Sequence, residues 1–252
     1  MSPIIKKNSL KNIYTIILCV IIMSFVNYEY TYSAYNYYDY ETTNYQNLGE
    51  GFNEIYQKFI DNIGISDFLD ISAGWCRIRQ ENENLVIGGS AVVYLGYTMG
   101  EKIDDYGYDI IGFGGVCDDK IKDWIPKITK KYKKIILFEG VNTLNIAANN
   151  GMKNVTNELF ESALTTMAKL TDNVLLENGE LIYVKVPKMT YIQDNSDLNH
   201  VNIFNELANE YNNTLEAIGI KLYEIPYETT SEYSSGYVHF NNVVVWDHML
   251  KA

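Results

Sequence analysis

The stretch Asn84-Leu-Val-Ile-Gly-Gly-Ser90 decides the fold that this sequence predicts. A short apolar run stops at two glycines and a serine, and sequence with helical spacing follows. This order is typical of a parallel strand that turns directly into a helix. In open α/β sheets the chemistry lies beyond the carboxyl ends of such strands. The sequence therefore predicts that the Ser90 hydroxyl lies at the functional edge of a sheet.

Four more short apolar runs, rich in β-branched and aromatic residues, follow this one along the chain. Two longer segments between the runs repeat apolar residues at helical spacing, and a further helix is predicted ahead of the first run. Strands that alternate with helices predict an α/β fold with a parallel sheet covered on both faces. The predicted strands are 85–87, 108–113, 134–138, 181–186 and 221–225; the predicted helices include 50–63, 155–174 and 201–218.

Composition limits the classes of function that remain. The 252 residues are 47% hydrophobic, which allows one domain with a sizeable core and an N-terminal extension. The formal net charge of −12 argues against a nucleic-acid partner. Three histidines without C-x-x-C or H-x-x-x-H spacing predict no metal site. Cys117 replaces the last glycine of a dinucleotide-binding motif that would begin at Gly112, so no cofactor is predicted.

The N-terminal segment, residues 1–33, has the order of an export signal. Lysines precede an apolar stretch over residues 13–26, and Thr31 and Ser33 are small residues at a suitable cleavage point. A cleaved signal peptide and an uncleaved membrane anchor both fit, and both place the domain outside the membrane. The protein is therefore expected to be secreted or anchored outside the cytoplasm, with no other membrane contact.

The remaining chain divides into two parts. Residues 34–48 are crowded with tyrosine and polar side chains without helical or strand period, which predicts a linker. Residues 49–252 form the predicted domain. In an oxidising compartment Cys76 and Cys117 could form a disulfide, although two separate buried thiols fit the sequence equally well.

Residues that could take part in catalysis follow several of the predicted strands or lie in the last loop. Ser90 follows the first strand, Gly115 the second, Asn142 the third, and His239 lies in the last loop. Each has an ordinary alternative: the serine as a helix N-cap, the asparagine in an Asx turn, and the histidine as a surface residue. Because a parallel sheet collects its strand ends at one edge, their joint order predicts that the four converge on one cleft.

This pattern resembles the SGNH, or GDSL-type, hydrolase family over most of residues 80–250. The Gly-Asp-Ser block of the family is Gly88-Gly89-Ser90 here, and Gly-x-Asn-Asp is Gly140-Val-Asn142-Thr143. Gly115 matches the glycine after the second strand, and His239 matches the last block. Flanking sequence such as residues 135–142 resembles the branch found in low-GC Gram-positive bacteria.

The resemblance implies a flavodoxin-like three-layer sandwich whose central strand is residues 85–87. It also implies that Ser90 is the nucleophile and His239 the general base. The backbone N–H groups of Ser90 and Gly115 and the side chain of Asn142 would form the oxyanion hole.

The first and the last blocks each depart from the family pattern at an aspartate. Gly89 replaces the aspartate of the first block, and Gly236 stands where the family has an aspartate three residues before the histidine. A Ser90–His239 dyad, oriented by a backbone carbonyl or by Glu232, would compensate for the second loss. Without such compensation, the protein would bind its ligand without cleaving it.

Together with the predicted export, the resemblance implies an exported serine esterase that removes an O-acetyl or other small acyl group from a cell-envelope or extracellular glycan. The expected substrate is thus an acylated glycan or a small ester. The alternative is a catalytically degenerate surface protein of the same fold that binds a glycan or a protein partner.

Overall fold

A computed structural model describes six strands and five α-helices within residues 73–114, 121–123, 125–190, 198–230, 232–234 and 239–252. The predicted export segment, linker and helix 50–63 lie outside these residues. The strands are β1 Ala73–Arg77, β2 Asn84–Gly88, β3 Tyr108–Gly114, β4 Tyr132–Phe138, β5 Leu175–Val184 and β6 Leu222–Tyr223. The helices are α1 Ser90–Met99, α2 Val141–Asn149, α3 Asn157–Asn173, α4 Leu198–Ala217 and α5 Val243–Leu250. Short 3-10 helices span Gly100–Tyr106 and Ile125–Lys127.

The strands form one sheet in the order β1-β3-β2-β4-β5-β6. All neighbouring pairs from β3 to β6 are parallel, and β1 pairs antiparallel with β3 at the edge. The α/β fold with a parallel sheet and an interior strand at residues 85–87 is confirmed. The strand count of five is wrong by one, because β1, Ala-Gly-Trp-Cys-Arg, has no apolar run to signal a strand.

Two strand boundaries also differ from prediction. β5 begins at Leu175 rather than at residue 181, and β6 has only two residues instead of five. The first part of β5 is mostly exposed and carries Glu, Asn and Gly, so it lacks the apolar pattern of a buried strand. Its pairing with β4 also shifts register between Tyr132 and Lys134. Exposure and irregular pairing together explain why the sequence pattern missed it.

Layers of helix cover the sheet. All seven residues of β3 are buried, as expected for a strand covered on both faces. Helix α1 packs on β1 and β3 and contacts α5, while α2 and α4 pack against each other. None of the described helices is both long enough and apolar enough to cross a membrane.

A buried carboxylate organises the amino end of the sheet. Asp109, near the start of β3, is fully buried. One of its oxygens accepts hydrogen bonds from the backbone N–H of Arg79 and from Asn82 Nδ2, both at 2.9 Å. The other accepts from Lys130 Nζ at 2.7 Å and from the Tyr132 hydroxyl at 2.8 Å. We call these five residues the Asp109 network; its two carboxylate oxygens each have two protein donors.

Close contact between two strand ends shapes the opposite, carboxyl edge. Gly89 N donates a hydrogen bond to Phe138 O at 3.1 Å, which draws the end of β2 against the end of β4. A Cβ atom at Gly88 would lie 2.0 Å from the same carbonyl oxygen. Packing against this carbonyl therefore requires glycine at residue 88.

Candidate active site

Ser90 lies where β2 gives way to α1. It is the first residue of the helix, and Gly89 is the N-cap residue, without a side-chain capping bond. The interpretation of Ser90 as an N-cap is therefore wrong. Its Oγ lies 2.8 Å from Nε2 of His239, although 149 residues separate the two in sequence. This distance is that of a good hydrogen bond between a nucleophile and a base.

The loop that carries His239 is held by hydrogen bonds and by a core aromatic residue. Ser234 Oγ donates to the carbonyl oxygen of His239 at 2.9 Å, and Ser234 forms an antiparallel bridge with Phe240. Phe240 is fully buried, and its ring meets Trp246 of α5 edge to face at a centroid distance of 5.9 Å. The residue after the imidazole is thus anchored in the core, which limits the movement of His239.

The surroundings of the imidazole keep it neutral. Burial lowers the pKa of His239 from 6.5 to about 4, because the charged form loses solvation. The ring of Tyr94, one helical turn after Ser90 on α1, stacks on the imidazole with a centroid distance of 4.5 Å and an interplanar angle of 10°. At neutral pH, His239 is therefore unprotonated at one ring nitrogen and able to accept a proton.

The amino end of α2 forms the second wall of the site. Gly140 is its N-cap residue and has φ of +94°, in the left-handed region that favours glycine. A Cβ atom there would also lie 2.9 Å from Val186 Cγ2. This turn brings Asn142, the second residue of α2, beside the start of α1.

A small cavity opens between these two helix starts. About 200 Å³ of empty space lies there, part of it open to solvent. The groups that line it include the nucleophile candidate, the predicted oxyanion donor and a carboxyl group. These lining residues are Gly89, Ser90, Ala91, Phe138, Glu139, Gly140, Val141 and Asn142.

The structure thus places three of the four predicted site residues at one edge of the sheet. Ser90 and His239 share a hydrogen bond, and Ser90 and Asn142 line one cavity. Gly115 lies outside the described residues, as does Gly236 before the histidine. Catalytic roles for these residues stay predictions.

The other sequence predictions about the site have mixed outcomes. The Glu232 carboxylate accepts a hydrogen bond from the Tyr233 hydroxyl, which raises the pKa of that tyrosine. Its predicted role toward the imidazole stays a prediction. Cys76 is buried, and Cys117 lies outside the described residues, so the disulfide stays a prediction. Within the described ranges, no cluster of three or more His, Cys, Asp or Glu side chains is placed to hold a metal ion.

Sequence reasoning missed two residues of the site. Tyr94 is four residues after Ser90, so helical geometry places both side chains on one face of α1. That spacing was a usable signal once the helix was predicted. Glu139 directly precedes the Gly140 block and is 2% exposed. Its burial at the end of β4 has no local signature in the sequence.

Comparison with solved structures supports the fold. A GDSL-like lipase from Bacteroides thetaiotaomicron matches over 78% of this chain and 93% of its own, with 14% identity and a TM-score of 0.51. A carbohydrate acetylesterase from Sinorhizobium meliloti covers 67% of this chain and 97% of its own, at 12% identity and a TM-score of 0.44. An acetyl xylan esterase from Geobacillus stearothermophilus covers 68% and 92%, at 15% identity and 0.43.

The match to the GDSL-like lipase shows that the chain has the fold of GDSL-like hydrolases. At these identities the similarity concerns the fold alone. No protein-family model matches the sequence, and no curated protein matches it.

Proposed function

We propose that this protein is a serine esterase of the SGNH type, with Ser90 as nucleophile and His239 as general base. The observation that carries the proposal is the 2.8 Å contact between Ser90 Oγ and His239 Nε2 beside an open cavity at the carboxyl edge of the sheet. Acyl transfer to a serine requires a base that removes the hydroxyl proton, and a largely buried neutral imidazole meets that need. The sequence around the motifs, such as residues 135–142, is the support for placing the protein in the branch of this family found in Gram-positive bacteria.

The proposed reaction begins with transfer of the Ser90 proton to His239 Nε2. The Ser90 oxygen attacks the ester carbonyl carbon, and the carbonyl π electrons move to its oxygen. Collapse of the tetrahedral intermediate breaks the bond to the alcohol, which receives the proton from the imidazolium. A water molecule then attacks the acyl-serine by the same route, and the free acid and Ser90 are regenerated.

The start of α1 favours the negative charge that develops in this reaction. The N–H groups of the first turn of a helix have no partner within the helix, and the helix dipole adds a partial positive charge there. Ser90 is the first residue of α1. Its N–H, together with the amide of Asn142 and the N–H of Gly115, forms the proposed oxyanion hole.

The proposed substrate is a glycan with O-acetyl or other small acyl groups, at the cell envelope or outside the cell. The small cavity beside Ser90 favours a short acyl group over a long chain. The choice of a glycan as substrate depends on the proposed export of the protein. The lysines and the apolar segment 13–26 are the support for that export. Cell fractionation tests export directly, since an intact full-length chain in the cytosol would contradict it.

A catalytically degenerate binding protein is the second candidate. The observation in its favour is Gly236 in place of an aspartate three residues before His239. An aspartate at that position would orient the imidazole, and loss of such a group lowers kcat by orders of magnitude in related mechanisms. The two candidates differ in whether the protein turns over an ester.

Hydrolysis of p-nitrophenyl esters by the full chain separates these candidates. The esterase proposal expects turnover of the acetate, lower kcat/KM for the octanoate, and loss of turnover in Ser90→Ala. Ser162→Ala is a matched control, because Ser162 is a buried serine of α3 rather than of the site. Release of acetate from an acetylated polysaccharide then tests whether the substrate is a glycan. Wild-type rates equal to those of Ser90→Ala would favour the degenerate protein.

A further inference from the structure

Tyr94 meets the same imidazole as Ser90, from a different direction. Ser90 Oγ lies in hydrogen-bond contact with the edge of the His239 ring, at Nε2, while Tyr94 covers its face. Both residues project from α1, four residues apart, so one rigid helix sets the position of both relative to the imidazole. This arrangement ties the orientation of the ring to that of the nucleophile.

The stacked geometry also has an electrostatic consequence. The face of a phenol ring carries partial negative charge, and it attracts a cation whose centre lies within about 6 Å of the ring centroid. The observed separation is 4.5 Å with nearly parallel planes. When His239 takes the serine proton, the positive charge therefore appears directly over the Tyr94 ring.

We infer that Tyr94 is a positioning residue that orients the His239 imidazole and stabilises its protonated form during catalysis. This inference rests on the proposed function, because it assigns a role in the reaction at Ser90. It gives an aromatic ring part of the task that an aspartate has in related sites. The charge is stabilised through the face of the imidazole rather than by a carboxylate at its edge.

Burial explains why such stabilisation matters here. Desolvation disfavours the imidazolium, as the lowered pKa of His239, about 4, indicates. A base that is too hard to protonate takes the serine proton poorly. A cation–π contact offsets part of this cost without admitting water, because the Tyr94 ring is itself partly buried against the core.

Kinetics of Tyr94→Leu and Tyr94→Phe test the inference. Leucine keeps an apolar group but removes the π face, so we expect kcat to fall about five- to tenfold with KM within twofold. Phenylalanine keeps the face, so Tyr94→Phe is expected within twofold of wild type. Tyr97→Leu, at an exposed tyrosine on the same helix, is the matched control and should leave kcat unchanged.

The pH profile separates this role from simple loosening of the site. Loss of the π face makes His239 harder to protonate, so the acid limb of kcat/KM in Tyr94→Leu should move to lower pH. If the substitution merely let water reach the imidazole, its pKa would return toward 6.5 and the limb would move to higher pH. A shift of the acid limb to higher pH in Tyr94→Leu would overturn the inference. Equal losses of kcat in Tyr94→Phe and Tyr94→Leu would overturn it too.

An NMR titration of histidine-labelled protein needs no catalysis and tests the inference independently of the proposed function. We expect the His239 signals of wild type to show the upfield shift of a ring stacked on tyrosine and its pKa to fall in Tyr94→Leu. An unchanged pKa would overturn the inference even in an active esterase. A lowered pKa in a protein without esterase activity would support the contact and overturn the proposed function instead.

Discussion

Polar side chains at the two edges of the sheet have different surroundings. At the amino edge, the Asp109 carboxylate is fully buried and receives four hydrogen bonds from the protein. At the carboxyl edge, Ser90 and His239 meet beside a cavity, and burial keeps the imidazole neutral. A polar group saturated by protein partners stabilises the fold, whereas a polar pair whose serine lines a cavity is available for chemistry. The comparison predicts that substitutions at the two edges have separate effects on stability and activity.

Ser90→Ala has the largest expected effect, and it falls on activity. Removal of the nucleophile should lower kcat for p-nitrophenyl acetate by at least about a thousandfold, as in other serine hydrolases. Because the Ser90 hydroxyl caps no helix, the free energy of unfolding in urea should change by less than about 1 kcal/mol. An active Ser90→Ala variant would break the assignment of chemistry to this edge.

Asp109→Asn should have the next largest effect, and it falls on stability. An amide cannot accept from four donors at once, and breaking a buried ion pair typically costs about 3 kcal/mol or more. We expect the free energy of unfolding to fall by about 3 kcal/mol, with kcat per folded molecule unchanged. Asp105→Asn, at an exposed aspartate nearby, is the control and should lie within about 0.5 kcal/mol of wild type. A loss of kcat without a loss of stability would contradict the division between the edges.

The pH dependence of activity sharpens the account of the carboxyl edge. Catalysis needs the neutral imidazole, and burial places the pKa of His239 at about 4. Therefore kcat/KM should rise through a pKa well below 6.5 and be level by about pH 6. The unfolded chain binds this proton more tightly, with the ordinary pKa of 6.5, so stability should fall as pH drops from about 6.5 to 4. An acid limb at 6.5 or above would contradict the burial of this imidazole.

Tyr132→Phe is the smallest of these tests. It removes one of the four hydrogen bonds to Asp109 while keeping the buried ring. A hydrogen bond to a charged group contributes about 1.5–3 kcal/mol, so urea unfolding should show a loss near the lower value. Esterase activity should be unaffected. A larger loss than that of Asp109→Asn would show that the ring, rather than the carboxylate, organises this edge.

The carboxyl edge was the more predictable of the two because its signals are local. A buried apolar run ending in Gly-Gly-Ser identified β2 and Ser90, and His239 followed from its residue type and position. The Asp109 network joins residues from three separate places in the chain, and no local pattern connects Arg79 with Tyr132. Strand β1 was missed for a related reason, since its pairing with β3 is antiparallel and its sequence has no apolar run.

The contact between Tyr94 and His239 shows where sequence reasoning ended. Helical spacing places Tyr94 on the same face as Ser90, but the stacking partner comes from a loop about 145 residues away. Only the folded chain brings that loop to α1. The family pattern also offered no guide, because it directs attention to position 236 rather than to a ring on the helix.

Labelling of the full chain with a fluorophosphonate, followed by peptide mass mapping, tests the central claim most directly. Such reagents form a covalent bond with a serine oxygen that an adjacent base has activated. The account predicts one adduct per chain, on Ser90, and labelling at least about a hundredfold slower in His239→Gln. An adduct on another serine, or labelling of Ser90 at the same rate without the imidazole, would contradict the claim that Ser90 and His239 form a catalytic pair.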